Sequence, residues 1–192
     1  MTDLWLAALS YVIGSFPSAY LATRMLSGQD IRRVGSGNVG GMNAARNVGL
    51  PAGIVTGILD VAKGALAVYL ARSLSADPWL PLICAVAVVA GHNWMLFLGL
   101  KGGKGLGASA GAMLVLLPVS IAVVVPLIAV LALVFRNTYM GVVVAFGLLP
   151  LVLYLLGPGP VWAAFGAALA VVVIAKHVEN VRDYLAGARG LT

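Results

Sequence analysis

Six apolar runs, Leu4–Leu26, Pro51–Leu74, Trp79–Leu100, Leu106–Phe135, Tyr139–Leu156 and Val161–Ala175, take up most of this chain. About 20 apolar residues are what an α-helix needs to cross a hydrocarbon core of roughly 30 Å. In that medium each backbone N–H and C=O must find its partner inside its own segment, which a helix alone achieves. The runs therefore predict an all-α integral membrane protein, a single domain over residues 1–192. Composition agrees: 61% of residues are hydrophobic and 9% charged, where a soluble domain carries roughly a quarter charged. The N-terminal MTDLWLAAL lacks the basic n-region and small-residue cleavage site of a secretory signal, so its run reads as the first span.

One run is too long. A helix over Leu106–Phe135 would extend about 45 Å at 1.5 Å per residue, and Pro118 falls within it. Charge placement decides how to divide it. Arg24, Arg32, Arg33, Arg46, Lys101, Lys104, Arg136, Lys176, Arg182 and Arg189 are ten of the 12 basic residues. A short-helix hairpin at about 106–135, turning near Pro118, brings all of them to one side, which the positive-inside rule makes cytoplasmic. The reading is thus seven transmembrane helices, with the N-terminus outside and the C-terminus cytoplasmic. It places the polar loops at the cytoplasmic surface of the membrane.

The net charge of +6 does not point to nucleic acid, because the cations are scattered and form no basic stripe. Cys84 is the only cysteine and two histidines accompany it, so neither a disulfide framework nor a zinc site is expected. No metal, cofactor or obligate protein partner is expected; the lipid bilayer is the one partner that composition implies.

Three polar segments lie on the inferred cytoplasmic side. In GSGNVGGMNAAR, Ser36, Asn38, Asn43 and Arg46 offer hydroxyl, amide and guanidinium donors suited to a phosphate monoester, with Gly37 allowing close backbone approach. In GLKGGKGLGAS, Lys101, Gly102, Gly103, Lys104 and Gly105 precede a helix whose N-terminal N–H groups and dipole favour an anion. This is not a nucleotide loop of the GxxxxGK type: its first glycine would stand at Leu98, and no Ser or Thr follows Lys104 to hold Mg²⁺. His92 lies shortly before that loop, and His177 and Asn180 stand three apart near the end of the chain, as candidates for substrate contact or proton transfer. Asp60 and Lys63, three apart inside the second run, read as a structural ion pair facing the bundle interior.

Taken in order, these segments resemble the three motifs of the acyl-phosphate-dependent glycerol-3-phosphate acyltransferase family (PlsY). GSGNVGGMNAAR resembles GSGNxGATN with a following arginine. GHNWMLFLGLKGGKGLGAS is similar to GHxxPxFLxFKGGKGxAT, and HVENVRDYLAGAR to HxxNIxRLxxGxE. Order, spacing and sidedness match across almost the whole chain. The departures are Gly41-Met42 for Ala-Thr, a missing proline in the second motif, Asp183 in place of arginine and Arg189 in place of glutamate. The resemblance implies transfer of a fatty acyl group from acyl phosphate to the sn-1 hydroxyl of glycerol 3-phosphate, yielding lysophosphatidate and phosphate. It assigns catalytic roles to Ser36, Arg46, Lys104, His177 and Asn180. It assigns substrate contact to Gly37, Asn38, Asn43, His92, Lys101, Gly102, Gly103 and Gly105, with acyl phosphate in the glycine–lysine loop. A small transporter of a phosphorylated metabolite is the alternative from another class. A phosphotransferase acting on CDP-alcohols would need clustered aspartates, and six acidic residues, none of them clustered, argue against it.

Overall fold

The computed structural model describes residues 3–187, and every regular element among them is helical. Arg189 lies outside the described residues. The chain divides into two compact units, Met1–Leu116 and Leu117–Thr192.

The first unit holds α1 (Trp5–Gly14), α2 (Ser18–Ser27), a 3₁₀ turn at Ile31–Arg33, α3 (Gly41–Asn47), α4 (Leu50–Leu74), α5 (Leu80–Asn93), a second 3₁₀ turn at Leu96–Leu98, and α6 (Leu106–Leu116). The long α4, opened by Pro51 in its first turn, is the hub: α1, α2, α3, α5 and α6 all pack on it. Two seams in this unit bring backbones into contact. Along α1 and α5, a Cβ on Gly14 would collide with the Val88 carbonyl and one on Gly91 with that of Tyr11. Along α4 and α6, Gly64 meets the Ala108 carbonyl and Gly111 that of Val61 in the same way. Small residues let helices approach this closely, which is how association is achieved where no water is released by burial.

Two of the apolar runs are interrupted where hydropathy shows nothing. The first breaks at Ser15-Phe16-Pro17, because proline has no N–H to continue the ladder. The third stops being helical at Asn93 instead of continuing to Leu100. Trp94 and Met95 leave the α region, Gly99 and Leu100 turn the chain through left-handed conformations, and the Gly103 N–H returns to the His92 carbonyl at 3.0 Å. The glycine–lysine loop is thus folded back onto the end of α5.

At the end of the unit, the Arg72 guanidinium donates to the carbonyls of Val115 (2.6 Å) and Leu116 (3.1 Å), satisfying the last turn of α6 with a cation at its negative dipole end. The long fourth run does divide: α6 has 11 residues, Leu117 is non-helical, and Pro118 opens an 18-residue α7.

The second unit comprises α7 (Pro118–Phe135), α8 (Thr138–Leu156), α9 (Pro160–Ala175) and α10 (Val178–Leu185), with α8 packed against the other three. Asn137 caps α8, its Oδ1 accepting from the Met140 N–H at 3.0 Å. The last run does not continue straight into the tail; α10 turns away from α9 by 64°. Five helical stretches are long and apolar enough to cross a membrane, or six if the bent α9–α10 pair is one span.

Candidate active site

The first polar loop is built around Asn43. This buried α3 residue donates through Nδ2 to the carbonyls of Val34 and Asn38, both at 3.0 Å. Its Oδ1 accepts from the Ser36 N–H at 3.3 Å and from Asn47 Nδ2 at 2.9 Å. One amide therefore closes the loop from both sides, and the loop follows from the seven-residue spacing of Ser36 and Asn43. Asn43, expected to meet substrate, has both its amide hydrogens engaged within the loop. Ser36 and Arg46 are exposed, and Gly37 and Asn38 are half-buried.

Arg32, nearby, is occupied elsewhere. It grips Asp30 through Nε (2.9 Å) and Nη2 (2.7 Å), while its guanidinium lies 5.2 Å from the Tyr20 ring centre. The hydrogen bonds from Arg32 hold the Asp30 carboxyl down at about 2.

The second loop rests on a buried polar floor. A Cβ on Gly103 would fall on His92 Nε2, and would lie 2.9 Å from the Val39 carbonyl of the first loop. A Cβ on Gly102 would fall on the His92 carbonyl. The first two motifs thus meet at Val39 and Gly103, with His92 beneath them. Gly105 starts α6 by accepting the Ser109 N–H at 2.8 Å, so the first N–H groups of α6 open beside Lys104. Lys104 is half-buried and Lys101 exposed.

Under this floor lies the ion pair expected in the second run. Lys63 Nζ and Asp60 Oδ1 are 2.8 Å apart, both residues 5% exposed. Two further contacts had no sequence signal of their own. Lys63 also donates to the Phe16 carbonyl (3.1 Å), an acceptor available because Pro17 breaks the first span. Asp60 Oδ1 also lies 3.4 Å from His92 Nδ1. A charged pair in mid-span, a proline in another span and a histidine in a third were each visible in the sequence; that they converge is a property of the fold.

In the second unit, His177 is fully buried at the junction of α9 and α10. Its Nδ1 is 2.9 Å from the Val173 carbonyl, and Tyr139 of α8 packs beside the ring, centroids 6.1 Å apart. A carbonyl only accepts, so Nδ1 carries the hydrogen of this contact. Asn180 lies three residues on, in the first turn of α10, and is half-buried. Arg182 and Asp183 are exposed on α10.

The family model for glycerol-3-phosphate acyltransferase matches residues 4–187. The chain belongs to this family. A glycerol-3-phosphate acyltransferase of Synechococcus sp. (strain CC9902) is 39% identical over 188 residues, covering 97% of this chain and 94% of the relative. One from Geobacter sulfurreducens is 37% identical over 183 residues, covering 95% and 93%. Among solved structures, the chain superposes on crystal structures of PlsY, an integral membrane glycerol 3-phosphate acyltransferase. The glycerol 3-phosphate form gives a TM-score of 0.87 at 28% identity, covering 97% of this chain and 94% of that one. The lysophosphatidic acid form gives 0.86 at 26% identity, covering 97% and 93%. Membership in the glycerol-3-phosphate acyltransferase family removes the transporter alternative and accounts for the three motifs together.

Proposed function

We propose that this family member transfers a fatty acyl group from acyl phosphate to the sn-1 hydroxyl of glycerol 3-phosphate at the cytoplasmic face of a bacterial plasma membrane. The observation that carries the reading is the meeting of two glycine-rich loops at Val39 and Gly103, with Lys104 and the open N-terminus of α6 beside them. Two anionic substrates call for two cationic or N–H-rich cradles, and the chain supplies Arg46 with Ser36 and Asn38 for one, and Lys101 and Lys104 with Gly102, Gly103 and Gly105 for the other.

In this reading the site belongs to one domain of seven spans, α6 and α7 forming the short hairpin, with the N-terminus outside. His177 and Asn180 are assigned catalytic roles in the acyl transfer, as the third motif implies. The hydroxyl oxygen of glycerol 3-phosphate attacks the acyl carbonyl carbon. The new ester C–O bond forms as the carbonyl carbon's bond to the phosphate oxygen breaks, and inorganic phosphate leaves. The hydroxyl proton passes to His177 Nε2 or to a substrate phosphate oxygen. Acyl phosphate is already activated, so catalysis reduces to alignment and to stabilising the charge that develops on the carbonyl and leaving oxygens.

Purified protein in lipid, given synthetic acyl phosphate and labelled glycerol 3-phosphate, should form lysophosphatidate and release one phosphate per product, without CoA. Folded protein that makes no lysophosphatidate from acyl phosphate overturns the reading. Lys104→Ala and Arg46→Ala should each lower kcat/KM by about a hundredfold or more, as expected for groups that meet developing or substrate charge.

A further inference from the structure

A buried ion pair is a poor source of stability. Apolar side chains of similar volume often replace one without loss, because attraction between the charges barely repays their removal from solvent. In mid-membrane that removal is costlier still. Asp60 and Lys63 are nonetheless both buried in α4, about ten residues and hence roughly 15 Å from its start. What distinguishes them is what else they touch.

One oxygen, Asp60 Oδ1, faces both Lys63 Nζ at 2.8 Å and His92 Nδ1 at 3.4 Å. The contact sets the Asp60 carboxylate against one edge of the His92 ring and limits how that ring can turn. Its other edge, Nε2, is then the surface on which Gly103 rests. Asp60 itself supports the far side of the loop: a Cβ on Gly107 would lie 2.7 Å from Asp60 Cβ. Lys104 is therefore bracketed, with Gly103 before it seated on His92 and Gly107 after it seated on Asp60. Lys63 ties the array to the Phe16 carbonyl at 3.1 Å, where the first span is broken. Each of the two seats is a side chain of the same buried cluster, and a turn of either would move the Lys104 backbone.

We propose that Asp60 is a positioning residue for the acyl transfer, acting through His92 and Gly107 to hold Lys104 and the first turn of α6 in register with the bound phosphate. The proposal rests on reading the Gly102–Gly105 loop as the phosphate cradle. Lys63 neutralises the carboxylate and itself meets no substrate.

Two charge-neutral double variants test it. Asp60→Asn with Lys63→Met keeps a polar oxygen beside His92 Nδ1; Asp60→Leu with Lys63→Met removes it at similar volume. Both are purified in lipid and compared for thermal unfolding and for kcat and KM with acyl phosphate. The asparagine variant should stay within about threefold of the parent, and the leucine variant should lose about thirtyfold in kcat/KM at an equal or higher Tm, since a misplaced catalytic loop costs rate without costing fold. Equal kinetics in the two variants overturn the proposal.

The Lys104 amine gives a readout that does not depend on the donor. Its rate of modification by an amine-acylating reagent, followed by peptide mass spectrometry, should change severalfold in the leucine variant and not in the asparagine one. This holds even if the parent makes no product from acyl phosphate, an outcome that would remove the proposed donor alone. Should the leucine variant not fold, His92→Asn decides. Its amide reproduces the Nδ1 contact with Asp60 but withdraws support from Gly103, so a folded His92→Asn enzyme with the parent's kcat/KM overturns the proposal.

Discussion

The two glycine-rich loops of the first unit are held in opposite ways. The loop around Ser36–Asn38 is drawn together by a side chain: Asn43 reaches in and engages two carbonyls and one N–H. The loop around Lys104 is shaped by what it lacks, since Gly102 and Gly103 lie where any Cβ would overlap the end of α5 or the His92 ring. A loop braced by an amide has a replaceable part, and graded substitutions should yield graded losses. A loop seated through bare backbone on a buried ring has no such part, and the smallest addition should displace it.

Gly103→Ala is the strongest way to break this comparison. The added methyl meets His92 Nε2 and the Val39 carbonyl together, so the loop must leave its seat; steady-state kinetics should show about a hundredfold or greater loss in kcat/KM, with the helical content of the protein unchanged. Parental kinetics in Gly103→Ala would mean that the seat is soft and the contrast false. Asn43→Ala should do less. It takes the side-chain donor from the Asn38 carbonyl and one of two donors from the Val34 carbonyl, a cost of about 1–3 kcal/mol, readable as a lower Tm and a raised KM for glycerol 3-phosphate with kcat largely kept. Asn43→Asp, which keeps the acceptor and loses the donors, should fall between parent and alanine.

The smallest effect belongs to Asp30. Its carboxyl titrates at about 2 in the folded protein, against roughly 3.9 unfolded. The shift is downward, so the stability it contributes is complete above about pH 4 and is lost as pH falls from there through about 2. The pair is exposed, and Asp30→Asn should flatten the acid limb of the unfolding profile only slightly while leaving the kinetics at neutral pH as they are.

Much of the architecture could be read from residues alone, because the bilayer permits so few backbones. Division of the long run at Pro118 followed from its length together with the placement of the basic residues, and the pairing of Asp60 with Lys63 from the cost of an unpaired charge in a span. Breaks at Pro17 and Asn93 did not, because an apolar side chain looks the same in a helix and in a turn packed between helices. The site divides along the same line. Glycines and lysines in order raise the expectation of an anion cradle, yet the role of Asn43 depends on which carbonyls the folded chain brings within about 3 Å. The contact between Asp60 and His92 joins residues in two different spans, and no periodicity in either one encodes it.

The glycine seams of the first unit carry a calorimetric consequence. Where Gly14 and Gly91, or Gly64 and Gly111, admit a neighbouring backbone, separating the helices would uncover methyl and methylene groups to acyl chains and not to water. The heat-capacity increment that accompanies unfolding of soluble domains, about 12–15 cal/mol/K per residue, reflects hydration of such groups. Without that hydration the increment should be far smaller here, and the stability curve nearly straight. A straight curve has no downturn on cooling, so an enzyme built this way would have no low-temperature limit set by its own packing.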